Sequence, residues 1–123
     1  MKNKLNLILI LLALAVAIGL IAYPKLKQRS DVSLDGFAQC LADKGATMYG
    51  AAWCSHCQRE KAAFGGSWRL VPYVECPENT KLCVDKGIKG YPTWIFDDGR
   101  RFEGEQGIKK LSEVSGCPLP EGR

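Results

Sequence analysis

The chain has 123 residues, room for one small domain and little besides, since domains usually run to about 100 to 150 residues. Its formal charge of +4 is unevenly spread: residues 1 to 30 hold Lys2, Lys4, Lys25, Lys27 and Arg29 and no acid, leaving twelve basic and thirteen acidic residues, net −1, in the remainder. No basic stripe is left there to track phosphates, so nucleic-acid binding is excluded.

Residues 1 to 4 form a short basic N-terminus. From Leu5 to Pro24 there is no charge, and Leu, Ile, Ala and Val dominate. As a helix this stretch reaches about 30 Å, enough to cross a bilayer core. The basic start and Ala15-Val16-Ala17 also fit a cleaved signal peptide. The uncharged run continues past Ala17, longer than a signal core of about 7 to 15 residues, which favours an uncleaved transmembrane signal anchor over 5–24. Flanking charges nearly balance and do not orient it. All six cysteines follow the anchor, an even number that suits an oxidising compartment, so the domain is expected on the extracytoplasmic side, periplasmic or lumenal, of a single-pass membrane protein.

Residues 25–32 read as a polar stem and 33–123 as one domain. Ser33 is a candidate cap for a helix whose Leu34, Phe37, Cys40 and Leu41 share a face, ended by Gly45. Thr47 to Ala51 is a short apolar strand leading into Trp53-Cys54-Ser55-His56-Cys57, and Gln58 to Phe64 is a helix stopped by Gly65-Gly66. Val71 to Glu75 is a strand, placed at an edge by Pro72, which lacks a donor. Asn79 to Lys86 is a helix closed by Gly87. Thr93–Phe96 and Arg100–Glu103 flank the turn Asp97-Asp98-Gly99, and Ile108, Leu111 and Val114 line a last helix ended by Gly116. The order α-β-α-β-α-β-β-α describes an α/β domain, a mixed sheet with helices on both faces.

The cysteine pair opens a helix. A sulfur there faces unpaired N–H groups and the positive end of the helix dipole, which favours thiolate over thiol, and Cys54 is placed for that. Cys57, one turn on, can release a bound partner by a second, intramolecular attack. His56, the only histidine, lies between the two, where an imidazolium would further favour the thiolate; the plainer reading is a solvent-facing turn residue. Half of a zinc site is the competing reading of C-x-x-C, but no second pair exists, six residues lie between Cys76 and Cys83, and His56 lies inside the first pair. No metal and no cofactor are expected.

Gly90-Tyr91-Pro92-Thr93 precedes a strand, where a tight cis turn fits. Together, Trp53-Cys54-x-x-Cys57 on a strand-to-helix turn and a later Pro-Thr pair opening a strand resemble the thioredoxin superfamily. That resemblance implies a thioredoxin-like fold, a cis Pro92 lying against the cysteines, and a loop of Tyr91, Pro92 and Thr93 that orients a partner chain. Trp53, Ser55 and His56 would tune the centre, Trp53 also shaping the docking surface.

The run from Met48 to Cys57, Tyr73-Val74-Glu75-Cys76 and Gly90-Tyr91-Pro92-Thr93-Trp94-Ile95 more closely resembles the thioredoxin-like domain fused to bacterial and plant vitamin K epoxide reductase homologues. The likeness covers most of Phe37 to Cys117. It implies exchange with protein thiols and disulfides, a part in disulfide formation, and an integral-membrane quinone reductase of that kind as partner. Two features depart from it. One span leaves no quinone-reducing half, and Met48 stands six residues before Cys54, where thioredoxins usually bury an acid, so proton transfer to Cys57 falls to water or Glu75.

Cys76 and Cys83 would close a local loop, as a staple or a second redox relay. In a thioredoxin-like layout Cys40 and Cys117 both lie at the sheet end away from the active pair and would meet. That bridge, closing about 78 residues, would constrain the unfolded chain by roughly 4 to 5 kcal/mol. Six cysteines allow fifteen pairings, so both are expectations. A disulfide oxidant, a reductase or isomerase of the same fold, and a metal-binding or scaffold domain remain as readings of function.

Overall fold

The computed structural model describes residues 1–27 and 32–122. Contacts divide the chain into two units, Met1–Asp31 and Val32–Arg123. The first is one helix, α1, Lys2–Lys27, whose segment Lys2–Ala22 is long and apolar enough to cross a membrane. A signal sequence shares those properties. Of the expected stem, 25–27 continue α1 and 28–31 lie outside the described residues.

The second unit starts with α2 (Asp35–Asp43), which buries Phe37, Ala38 and Leu41, positions that recur on one face of a 3.6-residue helix. The helix begins one residue later than a Ser33 cap requires: Leu34 is the cap position, while Ser33 Oγ accepts from Asp35 N at 3.2 Å and satisfies one free donor. Gly45, with φ of 64°, turns the chain into β1 (Thr47–Gly50).

Next come α3 (Ser55–Phe64), β2 (Tyr73–Glu75), α4 (Thr80–Asp85), β3 (Thr93–Ile95), β4 (Arg101–Glu103) and α5 (Gly107–Ser115). The sheet order is β2-β1-β3-β4. β1 pairs parallel with β2 and antiparallel with β3, which pairs antiparallel with β4 across the turn at Gly99. β2 is an edge strand, and Pro72 lies just before it.

Register sorts the side chains into two faces. Met48 lies opposite Tyr73 and Trp94, and Trp94 opposite Phe102. This face carries the larger core, which joins Leu34, Phe37 and Leu41 of the α2 region, Cys57 and Phe64 of α3 and Leu111 of α5. Tyr49, Val74 and Ile95 point the other way by strand alternation and pack with Cys76, Cys83 and Ile88 beside α4. Helices therefore cover both faces, the heavier layer on the Met48–Trp94 side.

Gly65-Gly66 ends α3 but does not straighten the chain, which winds on in 3-10 turns over Gly65–Leu70. Contacts of Ser67, Trp68 and Arg69 fix that segment. Trp68 meets Phe64 and Tyr73 edge-on, each at 5.7 Å between ring centroids, and Ser67 Oγ donates to Asp35 Oδ1 at 2.7 Å. Arg69 forms a two-pronged pair with the Asp35 carboxylate.

Cys40 is bonded to Cys117 and Cys76 to Cys83, with Cα separations of 5.8 and 5.7 Å. The first ties the end of α2 to the chain beyond α5, a separation of 77 residues. Replacing both cysteines, C40S with C117S, is expected to lower unfolding free energy by about 2 to 5 kcal/mol, and C76S with C83S by less, because that pair has a sequence separation of only 7. Denaturant unfolding under non-oxidising conditions measures both; equal losses would contradict the loop-length account.

Candidate active site

β1 ends at Gly50, and the chain turns at once so that Cys54 N donates to Ala51 O at 3.1 Å. Cys54 takes the cap position of α3 in an extended conformation (φ −75°, ψ 117°), its sulfur accepting from Cys57 N at 3.2 Å, the bond a serine or aspartate oxygen makes at an ordinary helix start. Two side chains pin the turn: Glu75 Oε1 accepts from Ala52 N and Gln58 Nε2 donates to Ala52 O, both at 2.8 Å.

The cysteines are the free ones among the described residues, and they are not equivalent. Cys54 is 7% exposed and borders a groove of about 540 Å³ between Trp53-Cys54-Ser55-His56 and Ile88-Lys89-Gly90-Tyr91. Cys57 is fully buried, with its sulfur 2.6 Å from that of Cys54. Burial, helped by the hydrogen bond to Cys54, pushes the Cys57 thiol up to about 12. Closing a disulfide between them needs no backbone rearrangement.

The Tyr91–Pro92 peptide is cis, and Pro92 and Thr93 are buried. Thr93 Oγ1 donates to Gly90 O at 2.9 Å and Gly104 N to Pro92 O at 2.7 Å, so the loop is braced on both sides. Tyr91 also meets Trp53 edge-on at 5.8 Å. Trp53 is 72% exposed, an apolar wall beside Cys54 with its own face open to solvent.

His56 is exposed, its Nδ1 3.0 Å from Glu105 Oε2 and 2.6 Å from an Arg59 amino nitrogen; Arg59 Nε donates to the same carboxylate oxygen at 3.0 Å. Arg59 first and His56 second hold the Glu105 carboxyl below the usual carboxylate range. The imidazole is thus engaged with the loop before α5.

Sequence reading did not single out Arg59, Glu60, Lys61, Tyr73 or Glu105. Glu60 is fully buried, its oxygens accepting from Gln106 N at 2.7 Å and Gly107 N at 2.9 Å at the start of α5. Burial pushes its carboxyl up, opposed by these two donors. The available signal was an acid three residues after Cys57, hence on the same buried face of α3. Tyr73 donates to Glu75 Oε2, and Lys61 Nζ lies 3.7 Å from the centroid of the Tyr73 ring. Among the described residues no group of three or more His, Cys, Asp or Glu side chains is placed to hold a metal.

Removing the Glu60 carboxylate strands two backbone donors and opens a cavity between α3 and α5. E60A is expected to lose about 2 to 4 kcal/mol of stability in denaturant unfolding. A loss below about 1 kcal/mol would show that water replaces the carboxylate at no cost.

No family model matches the chain. Over 93 residues it is 40% identical to the thiol-disulfide oxidoreductase LTO1 of Arabidopsis thaliana, covering 68% of this chain and 24% of that one. It is 29% identical over 106 residues to the thioredoxin domain-containing protein 5 homolog of Drosophila melanogaster, covering 76% and 26%. With protein disulfide isomerase-like 2-2 of Oryza sativa subsp. japonica it shares 31% identity over 86 residues, covering 58% and 23%. The chain spans about a quarter of the length of these curated relatives. The four-stranded mixed sheet, the cysteine pair at the start of α3 and these likenesses agree on a thioredoxin-like fold for residues 32–122.

Proposed function

We propose that this chain is a membrane-anchored thiol-disulfide oxidoreductase that exchanges disulfides with partner proteins through Cys54 and Cys57. The observation that carries the proposal is the asymmetry of the pair: two sulfurs 2.6 Å apart, one bordering a groove and the other buried. Cys54 attacks a partner disulfide, forming a mixed disulfide and expelling one partner thiolate. Cys57 then attacks Cys54, releasing the second partner thiolate and leaving Cys54–Cys57 oxidised. Run backwards, the same steps hand the disulfide to a partner dithiol. The cysteines carry both electrons, so no cofactor is invoked.

Trp53, Ser55 and His56 line one side of the groove and Tyr91 the other, and an extended partner segment laid between them meets the backbone of Tyr91 beside Pro92. The Arabidopsis relative, named a thiol-disulfide oxidoreductase, and the resemblance to vitamin K epoxide reductase-linked domains favour oxidative disulfide formation, with an integral-membrane quinone reductase of that kind regenerating the pair. The rice relative, named as isomerase-like, favours a second reading, isomerase or reductase chemistry at the same site. A Cys54/Cys57 potential near about −120 mV marks the oxidant and one near about −270 mV the reductant.

In this reading α1 anchors the domain on the extracytoplasmic side of a membrane, where the bridges Cys40–Cys117 and Cys76–Cys83 persist. C57S is expected to accumulate covalent partners on Cys54, seen as high-mass bands that vanish on reduction, while C54A abolishes oxidation of a dithiol peptide. A C54A variant that still turns over refutes the assignment. Expressed in bacteria, the full-length chain should stay with membranes through an alkaline wash; a shortened form in the soluble fraction would identify α1 as a cleaved signal.

A further inference from the structure

Cys57 has to lose a proton before it can attack, yet it is buried and its thiol is pushed up to about 12. Water does not reach it freely. Met48 of β1, in the same core, offers no proton acceptor, and both Glu60 oxygens already accept from the start of α5.

Gly50 marks what does lie beside the thiol. A Cβ at this position would stand 2.9 Å from Cys57 Sγ, 3.2 Å from Tyr73 Cε2 and 3.5 Å from Tyr73 Oη. Thiol and phenol thus converge on the space that the missing side chain leaves. The phenol donates to Glu75 Oε2, so its lone pairs remain free to accept. Glu75, half-buried at the edge strand, has its other oxygen on Ala52 N, in the turn that carries Cys54. Lys61, one turn beyond Cys57 on α3, lies over the Tyr73 ring and favours the anionic forms of both Cys57 and Glu75. The ionisable groups around the thiol are therefore Cys54 at the cap of α3, Lys61 within that helix, and Tyr73 with Glu75 from β2; Gly50 at the end of β1 and Ala51 after it carry none.

We propose that Tyr73 and Glu75 form the proton relay of the resolving cysteine. As Cys57 attacks Cys54, its proton passes to Tyr73 Oη while the phenol proton passes to the Glu75 carboxylate. The Cys54–Cys57 bond forms, the mixed disulfide breaks, and the electron pair leaves on the partner's sulfur. In the opposite direction a partner thiolate attacks Cys54, and the relay returns the proton to the departing Cys57. The phenol stays neutral at rest, because burial and then the hydrogen bond to Glu75 raise it, and Glu75 stays ionised, because the phenol holds its carboxyl low.

This inference rests on the dithiol reading above, and one experiment separates the two. Full-length chain in detergent is reduced and mixed in a stopped-flow instrument with 5,5′-dithiobis(2-nitrobenzoate). The first chromophore release reports attack by Cys54 and the second reports resolution by Cys57. In Y73F the first release is expected at the wild-type rate and the second to slow by about 10- to 100-fold at neutral pH. Glu75 is the base in the wild type and is ionised from mild acid upward, so the wild-type rate should change little between about pH 6 and about pH 9. Y73F depends on hydroxide instead, so its deficit should close as pH rises. E75Q, which keeps an acceptor for Ala52 N, should show the same pattern. A second release at the wild-type rate in either variant, or a deficit that stays constant across pH, overturns the relay while leaving dithiol exchange intact. If the wild type releases only one chromophore, Cys57 does not resolve, and the dithiol reading fails with it.

Discussion

The hydrogen bond from Cys57 N to Cys54 Sγ is the point on which the rest of the site turns. It makes a sulfur serve as the cap of α3, so the helix can begin only where Cys54 stands at its open end and Cys57 lies one turn inside. The two chemical environments follow from that single register. A helix started one residue later would rotate Cys57 by about 100° and bring it away from Gly50. The surroundings prevent this from several directions. Glu75 and Gln58 hold the backbone of Ala52 before the helix, and Glu60 binds its second turn to the start of α5.

Two carboxylates, Glu60 and Glu105, hold that helix in different ways. Glu60 is a buried carboxylate whose two donors are backbone N–H groups at a helix start, where the dipole favours negative charge, so it is satisfied without a cationic partner. Glu105 does the reverse at the surface. Its carboxylate gathers Arg59 and His56 from the exposed side of the same helix, in contacts too wet to add much stability but sufficient to orient the imidazole. One helix is thus tied to the segment preceding α5 on two faces, one dry and one exposed. That segment also supports Pro92, through Gly104 N. The cysteines and the cis loop share a scaffold.

Much of this was legible in the chain because the signals are local. Asp97-Asp98-Gly99 between two apolar runs, Pro72 beside an edge strand, and Cys54 between a strand and a helical pattern each have their cause within a few residues. The 3-10 winding of Gly65–Leu70 was not legible: two glycines read as a stop, and what keeps the chain coiled is Asp35, more than thirty residues earlier, together with the aromatic contacts of Trp68. Tertiary contact overrode local propensity there. The Arg59–Glu105 pair was hidden for the same reason, being 46 residues apart. Gly50 is the sharpest case. In the sequence it is a small residue in a strand, and only the approach of Cys57 from α3 and Tyr73 from β2 shows that nothing larger fits.

His56 lies between the cysteines in the chain, but α3 turns it outward while Cys54 and Cys57 turn in. Its Nδ1 faces an acceptor, Glu105, and a donor, Arg59, and cannot serve both at once. A protonated ring donates to Glu105; a neutral ring with its hydrogen on Nε2 accepts from Arg59. Either way the imidazole is held on the rim of the groove. The ring thus stands on the exposed side of α3, whereas Cys57 is buried on the other. Opposite sides of α3 therefore carry different groups: the exposed side bears His56 and Arg59, joined to Glu105, and the buried side sets Cys57 beside Gly50 and near Tyr73, which with Glu75 makes up the proposed relay.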